Sequence, residues 1–228
     1  MKKINFYILE IALLCFMAGC SSASPNAEKQ NTVHYLNSIR IQTMNMKSGS
    51  FTINTEWNIG EESETVRRHI DFSHQDSKLY YKETIYDSFT DSSAKPYQTA
   101  ETSEDGTSLI ISSENDNVTV DIPLDNPPSL EQFFKGIWDT LNPSEIERIE
   151  MAEQGEITSY TIVYSSDYCS DKENNTEIGS SVLQSKILEL KLMPDETVKA
   201  VKLNTTGYVS GLDTSETPVT QKTELYLD

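Results

Sequence analysis

Ser50-Phe51-Thr52-Ile53-Asn54-Thr55-Glu56-Trp57-Asn58-Ile59, followed by Gly60-Glu61-Glu62 and a second run reaching Phe72, is the stretch that decides the fold. Phe51, Ile53, Trp57 and Ile59 fall at every second position with Thr55 among them, and Val66, Ile70 and Phe72 share one parity in the next run. Successive side chains of an extended chain point to opposite sides, so this spacing gathers the apolar residues on one strand face. The same period recurs in Val118, Val120 and Ile122, in Tyr160, Ile162 and Tyr164, in Leu188, Leu190 and Leu192, and in Val219, Leu225 and Leu227. Polar residues take the opposite positions, as an antiparallel sheet with one wet face requires. Gly60-Glu61-Glu62, His74-Gln75-Asp76, Asp105-Gly106, Asn115-Asp116-Asn117 and Pro194-Asp195-Glu196 punctuate the runs. They predict about nine or ten short strands joined mostly by hairpins.

One segment breaks the period. After Asn126-Pro127-Pro128, Ser129 and Gln132 have the spacing of a capping box. Leu130, Phe133, Phe134, Ile137, Trp138 and Leu141 then fall on one helical stripe, which predicts a helix of about three turns. Asn142-Pro143 stops it, and Ser144 to Ile149 reads as a further short helical turn. A weaker helical pattern covers Thr32 to Met46, with Val33, Leu36, Ile39 and Met46 on its apolar side. The order helix, strands, helix, strands predicts an α+β domain, a curved antiparallel sheet with helices packed on its concave face.

The N-terminus carries a different message. Lys2 and Lys3 precede a mostly apolar run from Ile4 to Met17, too short to span a bilayer and interrupted by Glu10. Met17-Ala18-Gly19-Cys20 closes it and resembles the lipobox of bacterial lipoproteins, although Met17 stands where Leu is usual. That resemblance implies a diacylglyceryl group on Cys20 and a mature chain that starts there. Cleavage by an ordinary signal peptidase at Ala18 or Ala23 is the alternative. Residues 1–19 are therefore expected to be a signal peptide, 20–31 the lipidated cysteine and a tether, and 32–228 one domain. The polar run Ser21 to Thr32 would span on the order of 20 Å as flexible coil. Loss of Lys2, Lys3 and Glu10 with the signal takes the net charge from −18 to −19. So acidic a chain is repelled by nucleic acid and by anionic head groups, which favours a globule held off the membrane by its anchor.

No arrangement compels a reaction. Ser92-Ser93-Ala94-Lys95 has the spacing used by penicillin-binding enzymes, but Pro96 follows it and Lys222-Thr223 runs into Glu224 instead of glycine. Neither a Gly-x-Ser-x-Gly elbow nor a phosphate-cradling glycine loop is present. His69 and His74 differ by an odd number and would point to opposite strand faces, and His34 is remote. With Cys169 the only other ligand of that kind in the expected domain, no zinc site is expected. Cys169 lies among carboxylates that would raise its pKa, the expectation for a passive thiol. The acidic runs Glu101 to Gly106, Glu114 to Asn117 and Asp167 to Glu173 lack the spacing of a calcium loop and read as solvated hairpin tips. No cofactor is expected. Tyr80, Tyr81, Tyr86 and Phe89 occupy both faces of one strand and read as ordinary core and edge packing.

Lipobox, polar tether, a first helix running into Met46-Lys47-Ser48-Gly49-Ser50-Phe51, a strand meander with the aromatic segment after Pro127-Pro128, and a closing pair of strands around Pro194-Asp195-Glu196 come in that order. Together they resemble extracytoplasmic lipoproteins with the half-barrel fold of the LolA, LolB and LppX kind, and most of all the Gram-positive lipoproteins of that type. The polar run Ser165 to Ser181 has no counterpart in the resemblance. The likeness implies an apolar cavity between sheet and helices, and hence a membrane-anchored, non-enzymatic binder or carrier of a lipid or other amphiphile. Phe133, Phe134, Ile137, Trp138 and Leu141 would form its lid, and Phe51, Trp57, Ile70 and Phe72 its floor. The alternative is a cell-surface interaction or scaffold module whose interior is filled by its own side chains.

Overall fold

A computed structural model describes residues 25–76, 78–87, 95–113, 118–170, 174–176, 179–210 and 216–227. Cys20, the signal peptide, Ser92 and the run 114–117 lie outside the described residues. The period-two segments form one open, twelve-stranded antiparallel sheet. Strands β1 (Ser48–Ile59), β2 (Glu62–Gln75), β3 (Lys78–Tyr86), β4 (Gln98–Thr102), β5 (Ser108–Ser113) and β6 (Val118–Pro123) form one meander. Strands β7 (Ile146–Gln154), β8 (Ile157–Tyr164), β9 (Asn174–Thr176), β10 (Gly179–Leu192), β11 (Val198–Ser210) and β12 (Glu216–Leu227) form the other. The two halves join where β1 pairs with β12, Ile53 opposite Leu225, so β6 and β7 are the outer edges and β9 is a short addition to β10.

Twelve strands exceed the nine or ten expected. Strands such as Gln98–Thr102 and Asn174–Thr176 are almost wholly polar, so backbone pairing forms them where no apolar alternation marks them. Strand β7 replaces the helical turn expected over Ser144 to Ile149, of which only a 3-10 turn at Pro143–Glu145 exists. A bulge between Ile146 and Arg148 adds one residue to the strand and lets Ile146 and Ile149 pack on the same core from positions three apart. A bulged strand thereby mimics a helical spacing.

Helix α1 spans Pro25–Met44 and begins earlier than Thr32, so residues 25–31 are its first turns instead of tether. Proline suits the first helical position, and Glu28 in the first turn favours the positive end of the helix dipole. Val33, Leu36 and Ile39 are buried as their spacing predicts.

The segment linking β6 to β7 crosses from one edge of the sheet to the other over its apolar face. It is not the expected helix of three turns. Only Glu131–Phe134 is helical, here α2, and Leu130 stands at its N-cap without a side-chain hydrogen bond, so the Ser129–Gln132 capping box is not formed. Lys135 turns to ψ 127° and Gly136 takes φ 82°, the left-handed region that glycine enters freely. Leu130, Phe133, Phe134, Ile137, Trp138 and Leu141 are nonetheless all buried. Side chains of α1 hold the strap in place. Asn37 Nδ2 donates to the Leu141 carbonyl and Asn37 Oδ1 accepts from Leu141 N, both at 2.9 Å. Arg40, one helical turn on and buried, donates through Nε to the Trp138 carbonyl at 2.7 Å and pairs with Glu131.

The remaining polar run, Ser165 to Ser181, contributes helix α3 (Ser166–Ser170) and β9. Cys169 is buried there, and burial, not neighbouring carboxylates, pushes its thiol up. Lys186 of β10 is buried beside it, 4.6 Å from the centre of the Tyr164 ring and 3.8 Å from Asp139 of the strap.

Because Leu141 is buried, Asn37→Ala leaves both its backbone groups without partners. The expected loss is about 2–4 kcal/mol, seen as a lower urea midpoint with an unchanged denaturant slope.

Candidate functional site

The register assigns each strand residue to a face, because residues paired across an antiparallel ladder point the same way. One row runs Phe51, Ile70, Glu83, Ala100, Ile111, Val120 across β1 to β6. The next runs Ile53, Arg68, Ile85, Gln98, Ser113, Val118. Both begin in the core. Phe51 meets Phe133 at 5.6 Å and Phe134 at 5.4 Å between ring centres, and Tyr81 of β3 meets Phe133 at 5.0 Å. The strap's aromatic cover extends to β3. Past it the first row stays apolar through Ala100 and Ile111 while the second carries Gln98 and Ser113, and on β6 Val118, Val120 and Ile122 are 49, 46 and 43% exposed.

The face also opens along β1. Trp57 is half-buried, Ile59 is exposed, and the two pair with Gln221 and Val219 of β12. The open part of the face carries Trp57 and Ile59 beside Glu62, Glu64 and Gln221, and Ile85, Ile111, Val118 and Val120 beside Gln98 and Ser113. At its inner boundary Arg68 forms an ion pair with the buried carboxylate of Glu83, and the Arg68 guanidinium lies 5.9 Å from the centre of the Phe133 ring. A lone charge is costly beside so much apolar surface; as a pair the two groups are tolerated.

The sequence-predicted residues thus part company. Phe133, Phe134, Ile137, Trp138, Leu141, Phe51, Ile70 and Phe72 come together, but as a close-packed interior with exposures of 0–9%. The Trp138 indole N–H is buried without an acceptor. Trp57 alone of the nine stands apart from that interior, on the open face. Ile85 and Ile111 went unnoticed, although each lies in a short β-branched run whose register would have placed it there.

Two clefts flank α1. One of about 590 Å³ lies between its first half and β7–β8, bordered by Lys29, Tyr35, Arg148, Met151 and Tyr160. Tyr35 and Tyr160 face each other at 6.2 Å, and burial followed by the nearby Glu196 raises the pKa of both phenols. The other, about 470 Å³, lies between the end of α1 and the turn after β10, bordered by Thr43, Met46, Met193, Glu196 and Val198. Neither is lined by Phe133, Phe134, Ile137, Trp138 or Leu141. No group of three or more His, Cys, Asp or Glu among the described residues could hold a metal ion. His69 bonds Thr52 at 3.1 Å and His74 the Met46 carbonyl at 3.0 Å, on opposite faces of β2. Asp105 accepts from Ser103 and Thr107 within its own turn, which holds its carboxyl below the usual range. No helix among the described residues is long and apolar enough to cross a membrane.

No known protein family matches the chain, and no curated sequence matches it. Among solved structures it is similar to a DUF1329 family protein from Desulfovibrio piger, at 10% identity and TM-score 0.28 over 85% of this chain and 91% of that one. It is also similar to the 12:0-ACP thioesterase from Umbellularia californica, at 13% identity and TM-score 0.17 over 89% and 88%. At those scores neither likeness assigns a fold family or an activity.

Phe134→Ala removes a ring that is 1% exposed and packed on Phe51 and Trp138. It should cost about 3–5 kcal/mol in chemical denaturation. Trp57→Ala, on the open face, should cost about 1 kcal/mol.

Proposed function

We propose that this protein is a lipid-anchored, extracytoplasmic, non-enzymatic binder of a long-chain amphiphile, held against the open part of the sheet's apolar face. One observation carries the reading: the row of Phe51 and Ile70 continues past its cover through Ala100 and Ile111, and the face ends on β6 with Val118, Val120 and Ile122 exposed. Exposed large apolar side chains grouped on one face of a protein often mark a binding site. The half-barrel resemblance supports the same class of ligand, though it placed the acyl chain under the strap, where Phe133, Phe134 and Trp138 now lie. The amphiphile's chain would instead lie across Trp57, Ile85 and Ile111. Cys20 supplies the anchor in this reading, and the mature charge of −19, the full chain's −18 less Lys2, Lys3 and Glu10, keeps the domain off an anionic surface.

A second reading is an interaction or scaffold module without a small ligand. The close-packed interior beneath the strap favours it.

The two tryptophans separate these readings. Trp138 is fully buried, whereas Trp57 stands on the open face. Adding Nile red, or palmitoyl-lysophosphatidylcholine below its micelle concentration, should change tryptophan emission in wild type and in Trp138→Phe but leave Trp57→Phe unchanged. No response in folded wild type would favour the interaction module. The anchor is read separately: Cys20→Ala should leave the membrane fraction or accumulate as uncleaved precursor, and a variant that fractionates and migrates like wild type refutes it.

A further inference from the structure

The two outer edges of the sheet are built differently. Strand β7 carries Glu147, Arg148, Glu150 and Glu153, with Arg148 bonded to Glu147 at 3.0 Å and Glu150 at 2.8 Å, and it is bulged between Ile146 and Arg148. Charge and bulge are the usual means by which an edge strand is kept from pairing with another chain. Strand β6 is less protected: it has no bulge, and its one proline, Pro123, stands at its very end. Its pairing with β5 is regular from Val118 to Pro123, it carries Asp121 as its one charge, and all six of its residues are exposed. Its apolar side chains alternate, so a strand added there would continue the apolar face instead of interrupting it.

We infer that β6 pairs antiparallel with β6 of a second copy, joining two sheets edge to edge about a twofold axis at Val120. The strand is self-complementary in that register. Val120 faces Val120 of the second copy, Val118 faces Ile122, and Thr119 faces Asp121. No acid opposes an acid along the seam. Charge favours this contact over a face-to-face one: two chains of −18 each repel over most of their surfaces, and this edge brings them together where each offers a single carboxylate. An identical patch on both partners is the form that a twofold dimer requires. The inference stands on the edge alone and does not rest on amphiphile binding, which reads the face and not the edge.

Cysteine cross-linking of the full-length protein in its native membrane tests the register, with the wild-type chain and its own cysteines as background. Under mild oxidation Val120→Cys should give at least ten-fold more reducible dimer than Met151→Cys, an exposed position near the opposite edge. Val118→Cys alone should stay at the Met151→Cys level, and co-expression of Val118→Cys with Ile122→Cys should restore the dimer. Far-UV circular dichroism identical to wild type confirms that these exposed substitutions leave the fold intact. Any ranking in which Val120→Cys does not lead overturns the proposal. Equal yields mean random collision, a lead by Val118→Cys means another register, and background yields throughout mean that β6 is free or covered by a different protein.

Discussion

A chain that crosses the apolar face of a sheet with only one helical turn must find partners for the rest of its backbone elsewhere. The strap from β6 to β7 meets this through Asn37 and Arg40, three residues apart on one side of α1. Between them they satisfy the Trp138 carbonyl and both backbone groups of Leu141, all deep in the interior. Everything that the strap buries depends on this. With its backbone fixed, Phe133 and Phe134 are aimed at the sheet from the single helical turn of α2, and Ile137 and Trp138 from the turns that follow it. Gly136 supplies the left-handed step that a helix would not contain. The Arg40–Glu131 pair adds orientation more than energy, because Glu131 stays about half exposed and remains solvated.

The sheet was legible in the sequence because period two is a property of the backbone and survives in any half-buried strand. The runs at Phe51, Ile70, Ile162, Leu190 and Leu225 each supply core residues. The strap was legible in burial but not in conformation. Its apolar positions at spacings of three and one fit a helix and a series of tight turns equally well, and the deciding residues, Lys135 and Gly136, act through torsion angles that hydropathy does not express. Strand β7 failed for the opposite reason: a bulge gave a strand the spacing of a helix. Long-range hydrogen bonds such as Asn37 to Leu141 leave no trace in local pattern.

The candidate site was half legible. Reading the strap's aromatics as a ligand wall assumed a gap beneath them, and the gap is closed by rings at centroid distances of 5.0–5.6 Å. The sequence contains the open surface too, as the alternation at Val118, Val120 and Ile122. Its exposure, however, comes from how far the strap and α1 reach across the sheet, a question of three-dimensional extent. Outside the apolar side the sheet is polar and cross-linked: Glu224 accepts from Lys202, Tyr226 and Lys222. Burial alone would raise its carboxyl, but these bonds outweigh burial and bring it down to about 2.

Pairing of β1 with β12 has a consequence for how the molecule is made. The centre of the sheet is a seam between the first and the last of the described strands, with Phe51 opposite Leu227. Closing so long a loop is entropically costly and slow, and the contacts that offset it come only when both ends are present. During synthesis β1 therefore has one neighbour missing until β12 has been made. The inner border of the meander from β1 to β6 stays an unpaired edge until then. Such an order of assembly makes closure of the sheet a single late step.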